Sequence, residues 1–382
     1  MISLVKARWP NGSIPHGRIG TRRTGLGGDV VEGYDISGTR ALPEWAEPNV
    51  EQVEPGVHRI PLPLPNDGLR AVNVYAIEQP DGLVLIDAGW SVPESEQRLE
   101  AALGKLGAGL GDIQRFLVTH IHRDHYTQAV VLRRRFGMRV ALGLGEQPAL
   151  DRFMNRPRAE SREIQHRQLI RLGAAELATE LMRFFLEQLV RDDSTDDWAV
   201  PDEWLDAPVD VQLDGITLRA VPTPGHTRGH VVFHNEASRL LFAGDHVLPT
   251  ITPSIGLTAD PGPLPLGAFL DSLRLVRSMP DARLLPAHGP VTDSAHARID
   301  QLLAHHATRL DVAEDAVRVG ADTAFAVARA MTWTRREHAF DDLDMFNRML
   351  AVTETAAHLD LLVAQGRLRA GEVDDVLYYA LP

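Results

Sequence analysis

Short apolar runs separated by Pro, Asn, Asp and Gly begin near residue 55, a pattern that is typical of strands. Three such runs are GVHRIPLPL, AVNVYAIEQ and GLVLIDAGW. A helical period follows in ESEQRLEAALGKLG, then a strand in IQRFLVTH, a helix in YTQAVVLRRRFG and a strand in RVALGL. The first half therefore predicts an antiparallel start that passes into β-α-β units.

The second half repeats this broad arrangement without a detectable sequence repeat. Its predicted strands are VDVQLDG, ITLRAVPT, HVVFHNE, RLLFAGD and ARLLPAH, and the helix LGAFLDSLRLVRSM precedes the last of them. Between the halves, residues 146–206 are mainly helical, with apolar residues at helix spacing. Two interpretations of this insert stay open. It packs on the domain, or it caps a substrate pocket with Leu181, Phe184, Phe185 and Trp198.

The two ends of the chain differ from its centre. Residues 1–50 are rich in Gly, Pro and Arg and follow no period, which predicts an extended N-terminal arm. Residues 51–295 form the predicted central domain with the helical insert. Residues 296–382 form a small C-terminal domain of helices followed by a two-stranded hairpin, which resembles a winged helix. The arm or the C-terminal helices could join two copies of the chain in a homodimer.

Composition narrows the class of protein. The 382 residues include 44% hydrophobic residues and no cysteine, which excludes disulfides, thiolate metal sites and cysteine nucleophiles and fits a cytoplasmic location. There is no run of 18 apolar residues, and the N-terminus lacks a signal-peptide core, so we expect no membrane association. The net charge of −13 argues against nucleic acid as a partner and favours a small-molecule substrate.

Four potential metal ligands lie close together in RFLVTHIHRDHYTQ, directly after a predicted strand: His120, His122, Asp124 and His125. Three more each follow an apolar strand and a small residue: His226, Asp245 and His288. Sites of α/β proteins are built at such strand ends. Imidazoles and carboxylates suit zinc, iron or manganese.

Five pieces of the sequence occur in an order that resembles the metallo-β-lactamase-fold hydrolase superfamily: LIDAGW, THIHRDH, TPGHTRGH, FAGDH and PAHGP. The resemblance covers about residues 55–295. Within the superfamily, the chain most resembles the glyoxalase II and lactamase-like thioesterase group with winged-helix-like tails. The resemblance implies an α/β fold, an αββα sandwich of two mixed β-sheets with outer helices, and a dinuclear metal site at one edge.

The resemblance also assigns the ligands. The first metal would be held by His120, His122 and His226. The second would be held by Asp124, His125 and His288, and Asp245 would bridge the two. Asp87 matches an early aspartate that supports the ligand loop. The nearby histidines that match no ligand position are expected to line the pocket or support ligands: His230, His234 and His246.

This chain departs from the family pattern at two places. Thr127 and Gln128 stand where Gly-Gly is common, and Arg228 stands where Pro is common. These differences concern the shape of the pocket rather than the metal ligands.

The implied cofactors are two divalent metal ions, zinc first, with iron or manganese also suited to the ligands. The implied reaction is hydrolysis of a small organic substrate by a metal-bound hydroxide, with a thioester, activated ester or lactone favoured. Asp124 would orient the nucleophile and handle its proton. Tyr126 would donate to the oxyanion, or else pack in the core.

Three other functions stay open at this point. A nuclease or phosphodiesterase of the same superfamily conflicts with the acidic charge. A mononuclear iron persulfide dioxygenase has a similar first motif but needs only three ligands. A regulatory protein with a DNA-binding tail conflicts with the acidic DLDMFNRMLAVTETAAHLD, because a recognition helix should be basic.

Overall fold

The computed structural model describes residues 42–65, 68–155, 158–189, 198–256, 258, 260–334 and 336–382. Most of the predicted N-terminal arm therefore lies outside the described residues, and so does its suggested role in a homodimer. Among the described residues, no helix combines the length and the apolar composition that a membrane span needs.

The first sheet has seven strands in sequence order. They are β1 (Glu51–Glu54), β2 (Val57–Pro63), β3 (Ala71–Gln79), β4 (Gly82–Ile86), β5 (Ile113–Val118), β6 (Arg139–Gly143) and β7 (Glu203–Leu205). The first four strands pair antiparallel, and β4 to β7 pair parallel. This is the predicted passage from an antiparallel start into β-α-β units.

The second sheet has five strands in the order β12-β11-β10-β9-β8. They are β8 (Val209–Leu213), β9 (Ile216–Pro222), β10 (Val231–Asn235), β11 (Leu240–Gly244) and β12 (Arg283–Pro286). Only the pair of β11 and β12 is parallel. Both sheets are therefore mixed, as the resemblance implied.

The two sheets pack face to face through a buried apolar layer. Tyr75 and Leu117 of the first sheet contribute to it together with Phe233 and Phe242 of the second. The Tyr75 and Phe242 rings meet edge to face, with their centroids 5.3 Å apart. Asn73 adds a polar link, because its amide donates to the backbone carbonyls of Pro286, the last residue of β12, and of Gly289 in the loop that follows.

Helices cover the outer faces of both sheets. The helices of the described residues are α1 (Pro93–Lys105), α2 (Arg123–Phe136), α3 (Gln147–Asn155), α4 (Arg158–Arg171), α5 (Ala175–Leu189), α6 (Pro265–Ser278), α7 (Ala295–Arg318), α8 (Ala324–Ala330) and α9 (Met345–Ala364). Side chains of α1 and α2 pack on the first sheet, and side chains of α6 and α7 pack on the second. The predicted αββα sandwich is confirmed.

The C-terminal region contains α7, α8 and α9 and ends in the predicted hairpin of β15 (Arg369–Val373) and β16 (Val376–Ala380). A second small hairpin, β13 (Thr332–Trp333) with β14 (His338–Ala339), lies between α8 and α9. The apolar residues of these helices belong to the same buried cluster as the outer face of the second sheet. This region therefore shares its core with the sandwich.

The insert also joins this shared core. Its predicted helical segment is divided into α4 and α5 at Gly173, which has a φ of 84° and lies tightly against Thr323. Leu181 is buried in the cluster, and the Trp198 ring stacks on Phe153 with a centroid distance of 4.5 Å. These contacts support packing for both residues. Phe184 is 42% exposed, and the side chain of Phe185 lies outside the described residues.

Candidate metal centre

Strand ends from both sheets meet at one edge of the sandwich. His120 follows β5, and Asp124 and His125 lie in the first turn of α2. His226, Asp245 and His288 follow β9, β11 and β12 respectively. The small residue before Asp245 has a physical reason, because a Cβ on Gly244 would lie 2.7 Å from both His230 and Thr119.

All seven predicted ligands are brought together in two groups. The first contains His120, His122, His226 and Asp245, and the second contains Asp124, His125 and His288. Within each group, the ligand atoms lie within 4.8 Å of one another.

Asp245 faces both groups with different oxygens. Its Oδ2 lies 3.4 Å from His226 Nε2 and 3.9 Å from His120 Nε2. Its Oδ1 lies 3.3 Å from His288 Nε2 and 3.7 Å from His125 Nε2. This carboxylate is therefore placed to contact an ion in either group.

Several of these atoms are buried without a hydrogen-bond partner among the described residues: His120 Nε2, His125 Nε2, His288 Nε2 and Asp245 Oδ1. A buried polar atom without a partner costs about 1–3 kcal/mol, so such atoms call for an explanation. Divalent cations would satisfy all four, and the nitrogen and oxygen donors suit zinc, iron or manganese. The residues present therefore fit bound metal.

Hydrogen bonds on the outer side of the rings fix which nitrogen faces the centre. The Nδ1 atoms of His226 and His288 each lie 2.8 Å from a backbone carbonyl oxygen, that of Ser254 and of Ala71 respectively. A carbonyl oxygen can only accept, so each Nδ1 carries the hydrogen and each neutral ring directs an Nε2 lone pair inward. Ligand histidines in metal sites are oriented in this way.

Asp87 orients one histidine of each group. Its Oδ2 lies 2.8 Å from His125 Nδ1, and it accepts hydrogen bonds from the amide and the hydroxyl of Thr119. Because that hydroxyl gives its hydrogen to Asp87, its oxygen is left to accept from His120 Nδ1, 3.1 Å away. These contacts agree with the supporting role that the resemblance assigned to Asp87.

Burial and neighbouring charges shift the pKa values of the site residues, and for His125 and Asp245 the two effects act in opposite directions. Burial lowers the pKa of His122 to about 3, with His226 acting in the same direction. Burial would also lower the pKa of His125, but Asp124, Asp87 and Asp245 raise it to about 10. Burial would raise the pKa of Asp245, yet His288 and His125 hold it well below its usual range. The site therefore concentrates negative charge, and metal binding would displace histidine protons.

The three additional histidines take different positions. His230 stacks on His120 with a centroid distance of 5.0 Å, and its Nε2 accepts the amide hydrogen of Asp245 at 3.2 Å. It thus supports two ligands. His246 is buried between His230 and the Phe269 ring, and His234 lies further along β10 in a cavity lined by Val276 and Met279.

Tyr126 has the surroundings of a core residue and not those of an oxyanion donor. Its ring is fully buried in the core beneath the first sheet, and its hydroxyl donates to the backbone carbonyl of Ala199 at 2.6 Å. The packing interpretation therefore fits this side chain, and Tyr126 has no part in the mechanism proposed below.

The Tyr126→Phe variant tests this correction. We expect kcat/KM to stay within about twofold of wild type, while the free energy of unfolding falls by about 1 kcal/mol, because Ala199 loses its donor. Steady-state kinetics and urea unfolding measure the two effects. A hundredfold loss of kcat at unchanged stability would instead restore the oxyanion role.

Glu146 is a buried residue near the site that the sequence did not single out. It accepts hydrogen bonds from the Thr227 hydroxyl and from the amides of Ile121 and Gly229, so it joins the two loops that carry His120, His122 and His226. Burial raises its pKa to about 7 despite these bonds. The contact is tight, because a Cβ on Gly229 would lie 2.0 Å from the Glu146 amide nitrogen.

We expect Glu146→Ala to weaken metal binding at the first group, because three donors lose their acceptor and the two loops are no longer joined. Glu146→Gln should stay nearer to wild type, since its amide oxygen can still accept the Thr227 bond. Competition with a chelator measures metal affinity, and urea unfolding measures stability. If Glu146→Ala loses stability but keeps wild-type affinity, Glu146 serves the core alone.

The residues that depart from the family pattern have defined partners. Thr127 accepts a hydrogen bond from the Ser91 amide, and the Gln128 amide donates to the Ala88 carbonyl, so both hold the loop after β4. Arg228 pairs with Asp260 at 2.9 Å, and Arg152 of α3 reaches the same carboxylate at 3.2 Å. Arg228 thus connects the His226 loop to the insert through Asp260.

Comparison with protein families agrees with the fold and the site. The model of the metallo-beta-lactamase superfamily matches residues 67–288, which is more than half of the chain. The chain belongs to this superfamily and is a hydrolase of the metallo-β-lactamase fold.

Its relatives include enzymes and solved structures. It is 25% identical to the atrochrysone carboxyl ACP thioesterase of Emericella nidulans over 280 residues, 73% of this chain and 70% of that protein. It is 23% identical to the probable metallo-hydrolase YqjP of Bacillus subtilis over 339 residues, 84% of this chain and 96% of that one. A match of 30% identity to the beta-lactamase-like protein 2 homolog of Caenorhabditis elegans spans only 33% of that protein.

Among solved structures, a metallo-beta-lactamase family protein from Thermus thermophilus superposes with a TM-score of 0.71 at 26% identity. The match covers 87% of this chain and 100% of that one. A beta-lactamase domain protein from Burkholderia ambifaria gives a TM-score of 0.69 at 27% identity, covering 91% and 98% respectively. Both matches extend well beyond the segment 67–288.

Proposed function

We propose that this protein is a dinuclear metal-dependent hydrolase of a small organic substrate, and that the bond it cleaves is a thioester or a related activated ester or lactone. The observation that carries the dinuclear part is the position of Asp245, whose two oxygens face two separate ligand groups. A site for one ion would not need the second group.

Divalent ions held by these ligands would supply Lewis acidity and make a water molecule nucleophilic near neutral pH. We propose zinc, and iron or manganese would suit the same donors. The protein's own part is orientation. His120 and His125 are fully buried, whereas the Asp124 side chain is 17% exposed and is thus the more open ligand.

Asp124 is proposed to orient the attacking water and to accept its proton. Burial would raise the pKa of Asp124, but His125 and His288 lower it below its usual value, so the carboxylate is ionised and able to accept. Its Oδ2 lies 3.5 Å from both His125 Nε2 and His288 Nε2. The same carboxylate can therefore contact both an ion and the water.

Three arguments favour an acyl substrate, and a thioester in particular, over a phosphodiester. The chain carries a net charge of −13, which repels polyanions. One relative that matches 73% of this chain is named a thioesterase. A thiolate is also a good leaving group, so little help from a general acid is needed.

The persulfide dioxygenase alternative leaves Asp124, His125 and His288 without a metal-binding role.

The test is a substrate panel on metal-loaded protein, with an acyl thioester, a lactone, a β-lactam and a phosphodiester compared by kcat/KM. We expect the thioester to be cleaved fastest, and elemental analysis to give close to two ions at this centre. Cleavage of the phosphodiester alone would show that the substrate class is wrong. One iron per chain, with oxygen consumed in the presence of a persulfide, would establish the dioxygenase instead.

A further inference from the structure

A second cluster of metal-binding side chains lies between α7 and α9, apart from the seven ligands described above. It contains His305 and His306 of α7 and Glu354 of α9. One ring nitrogen of each histidine and one carboxylate oxygen lie within 4.8 Å of one another. These residues lie beyond residue 288, outside the segment that the superfamily shares.

A chain of hydrogen bonds fixes the state of His306. His358 Nδ1 lies 2.8 Å from the backbone carbonyl oxygen of Glu354, which can only accept, so this nitrogen carries a hydrogen. The His358 Nε2 of a neutral ring is then an acceptor, and it lies 3.2 Å from His306 Nδ1. His306 Nδ1 therefore donates, and its Nε2 is left with a lone pair.

That lone pair has nothing to bind. His306 is fully buried, and its Nε2 has no hydrogen-bond partner in the described part of the chain. Burial lowers the pKa of His306 well below its usual value and that of His358 to about 4, so both rings are neutral at pH 7. An outer N–H that donates and an inner lone pair without a partner are the arrangement of a metal-ligating histidine.

The Glu354 carboxylate also lacks a partner among the described residues. Burial raises its pKa, and the nearest compensating charge, Arg309, opposes that shift. The Arg309 guanidinium is engaged elsewhere, since it donates to the Thr332 carbonyl at 2.8 Å and lies 4.4 Å from the centre of the Trp333 ring. Glu354 is half-buried, and a partly desolvated carboxylate without a hydrogen bond is destabilising, so a bound cation would offset that cost.

We propose that His305, His306 and Glu354 form a separate structural site for one divalent transition-metal ion, with two imidazoles and one carboxylate as ligands. Zinc fits this donor set best, and His305 at the exposed end offers the path for entry. This inference does not depend on the reaction proposed for the metal centre.

The position of the cluster indicates what a bound ion would stabilise, namely the contacts of α7 and α9 with the loop that carries Ser254. The carbonyl of Thr353, next to Glu354, packs against Gly256, and Ser254 in the same loop holds His226. On α7, Arg298 donates to the carbonyls of Leu248 and Ile251, at the other end of that loop. An ion joining α7 to α9 would therefore stabilise the helices on which this loop rests.

The test compares untagged wild-type protein with Glu354→Gln and His305→Ala, each dialysed after loading with zinc. Elemental analysis should give one zinc fewer per chain in both variants than in wild type. His338→Ala, which removes an exposed histidine of the same region, is the matched control and should keep the wild-type count. These variants leave the seven ligands of the metal centre in place, so the ion that is lost is the one bound by the second cluster.

Thermal unfolding provides a second measurement, because the proposal predicts the order of the Tm values of wild type and Glu354→Gln with and without zinc. Without metal, Glu354→Gln should unfold at a temperature equal to or above wild type, because it removes a half-buried carboxylate to which no described residue donates a hydrogen bond. With zinc, wild type should gain more in Tm than Glu354→Gln does. Equal zinc counts and equal gains in wild type, Glu354→Gln and His305→Ala would overturn the proposal.

Discussion

Asp245→Ala is expected to lower kcat/KM by roughly a thousandfold or more, since metal-assisted activation of water and substrate depends on it. The carboxylate lies within 4 Å of histidines in both ligand groups, so its loss removes a negative charge from each. The remaining cluster would hold histidines that repel one another when protonated. Elemental analysis should show that the centre retains less than half of its wild-type metal.

Asp245→Asn separates the loss of the carboxylate charge from the loss of side-chain volume. The amide preserves the volume and can keep the backbone bond to His230, but it places a donor where an acceptor is needed. It should be nearly as inactive as the alanine variant while unfolding close to wild type. Asp271→Asn, an exposed carboxylate on α6, is the control and should stay within about twofold of wild-type kcat/KM. Activity retained in Asp245→Asn would refute the bridging role.

Asp87→Asn should produce the second largest effect, although Asp87 is predicted to touch neither metal nor substrate. Its carboxylate accepts from His125 directly and from His120 through Thr119, so one residue orients a ligand in each group. An asparagine can accept from one of these donors but presents its own NH₂ to the other. Such changes reduce metal affinity by about 10–100-fold, which chelator competition measures.

The backbone at position 87 determines which variant is informative. Asp87 has a φ of 60°, a left-handed conformation that Asn tolerates and Ala does not. Asp87→Ala would therefore combine backbone strain with the loss of three hydrogen bonds, and a low activity would have no single cause. If Asp87→Asn binds metal as tightly as wild type, the orienting role is wrong.

The ligands could be predicted from sequence because each one follows a local signal. An apolar strand, a small residue and a ligand recur at Asp245 and at His288, and the glycine at 244 is required by the close approach of His230 and Thr119. Central strands such as β10 and β11 were predictable, since they are buried on both faces and their sequences are nearly continuous apolar runs. Short edge strands such as β1 and β7 have too few residues to show a period.

The supporting residues were not predictable in the same way. Glu146 functions through Ile121 and Thr227, and no pattern near residue 146 indicates partners so far along the chain. Tyr126 lies one position after a ligand, but it points into the core because the helix turns by about 100° per residue. The break between α4 and α5 could have been predicted, since Gly173 is a helix-ending signal within the segment predicted to be helical.

The hydrogen bond from His288 to the carbonyl of Ala71 joins positions 217 residues apart, and Asn73 spans a similar distance to Gly289. Such contacts form late, because closing a long loop precedes any gain from the contact. A newly synthesised chain therefore has no complete set of oriented ligands until β12, the last strand of the second sheet, has docked against β3. We therefore expect metal uptake at this centre to follow the completion of folding, so that partly folded chains bind metal ions more weakly than the native protein does.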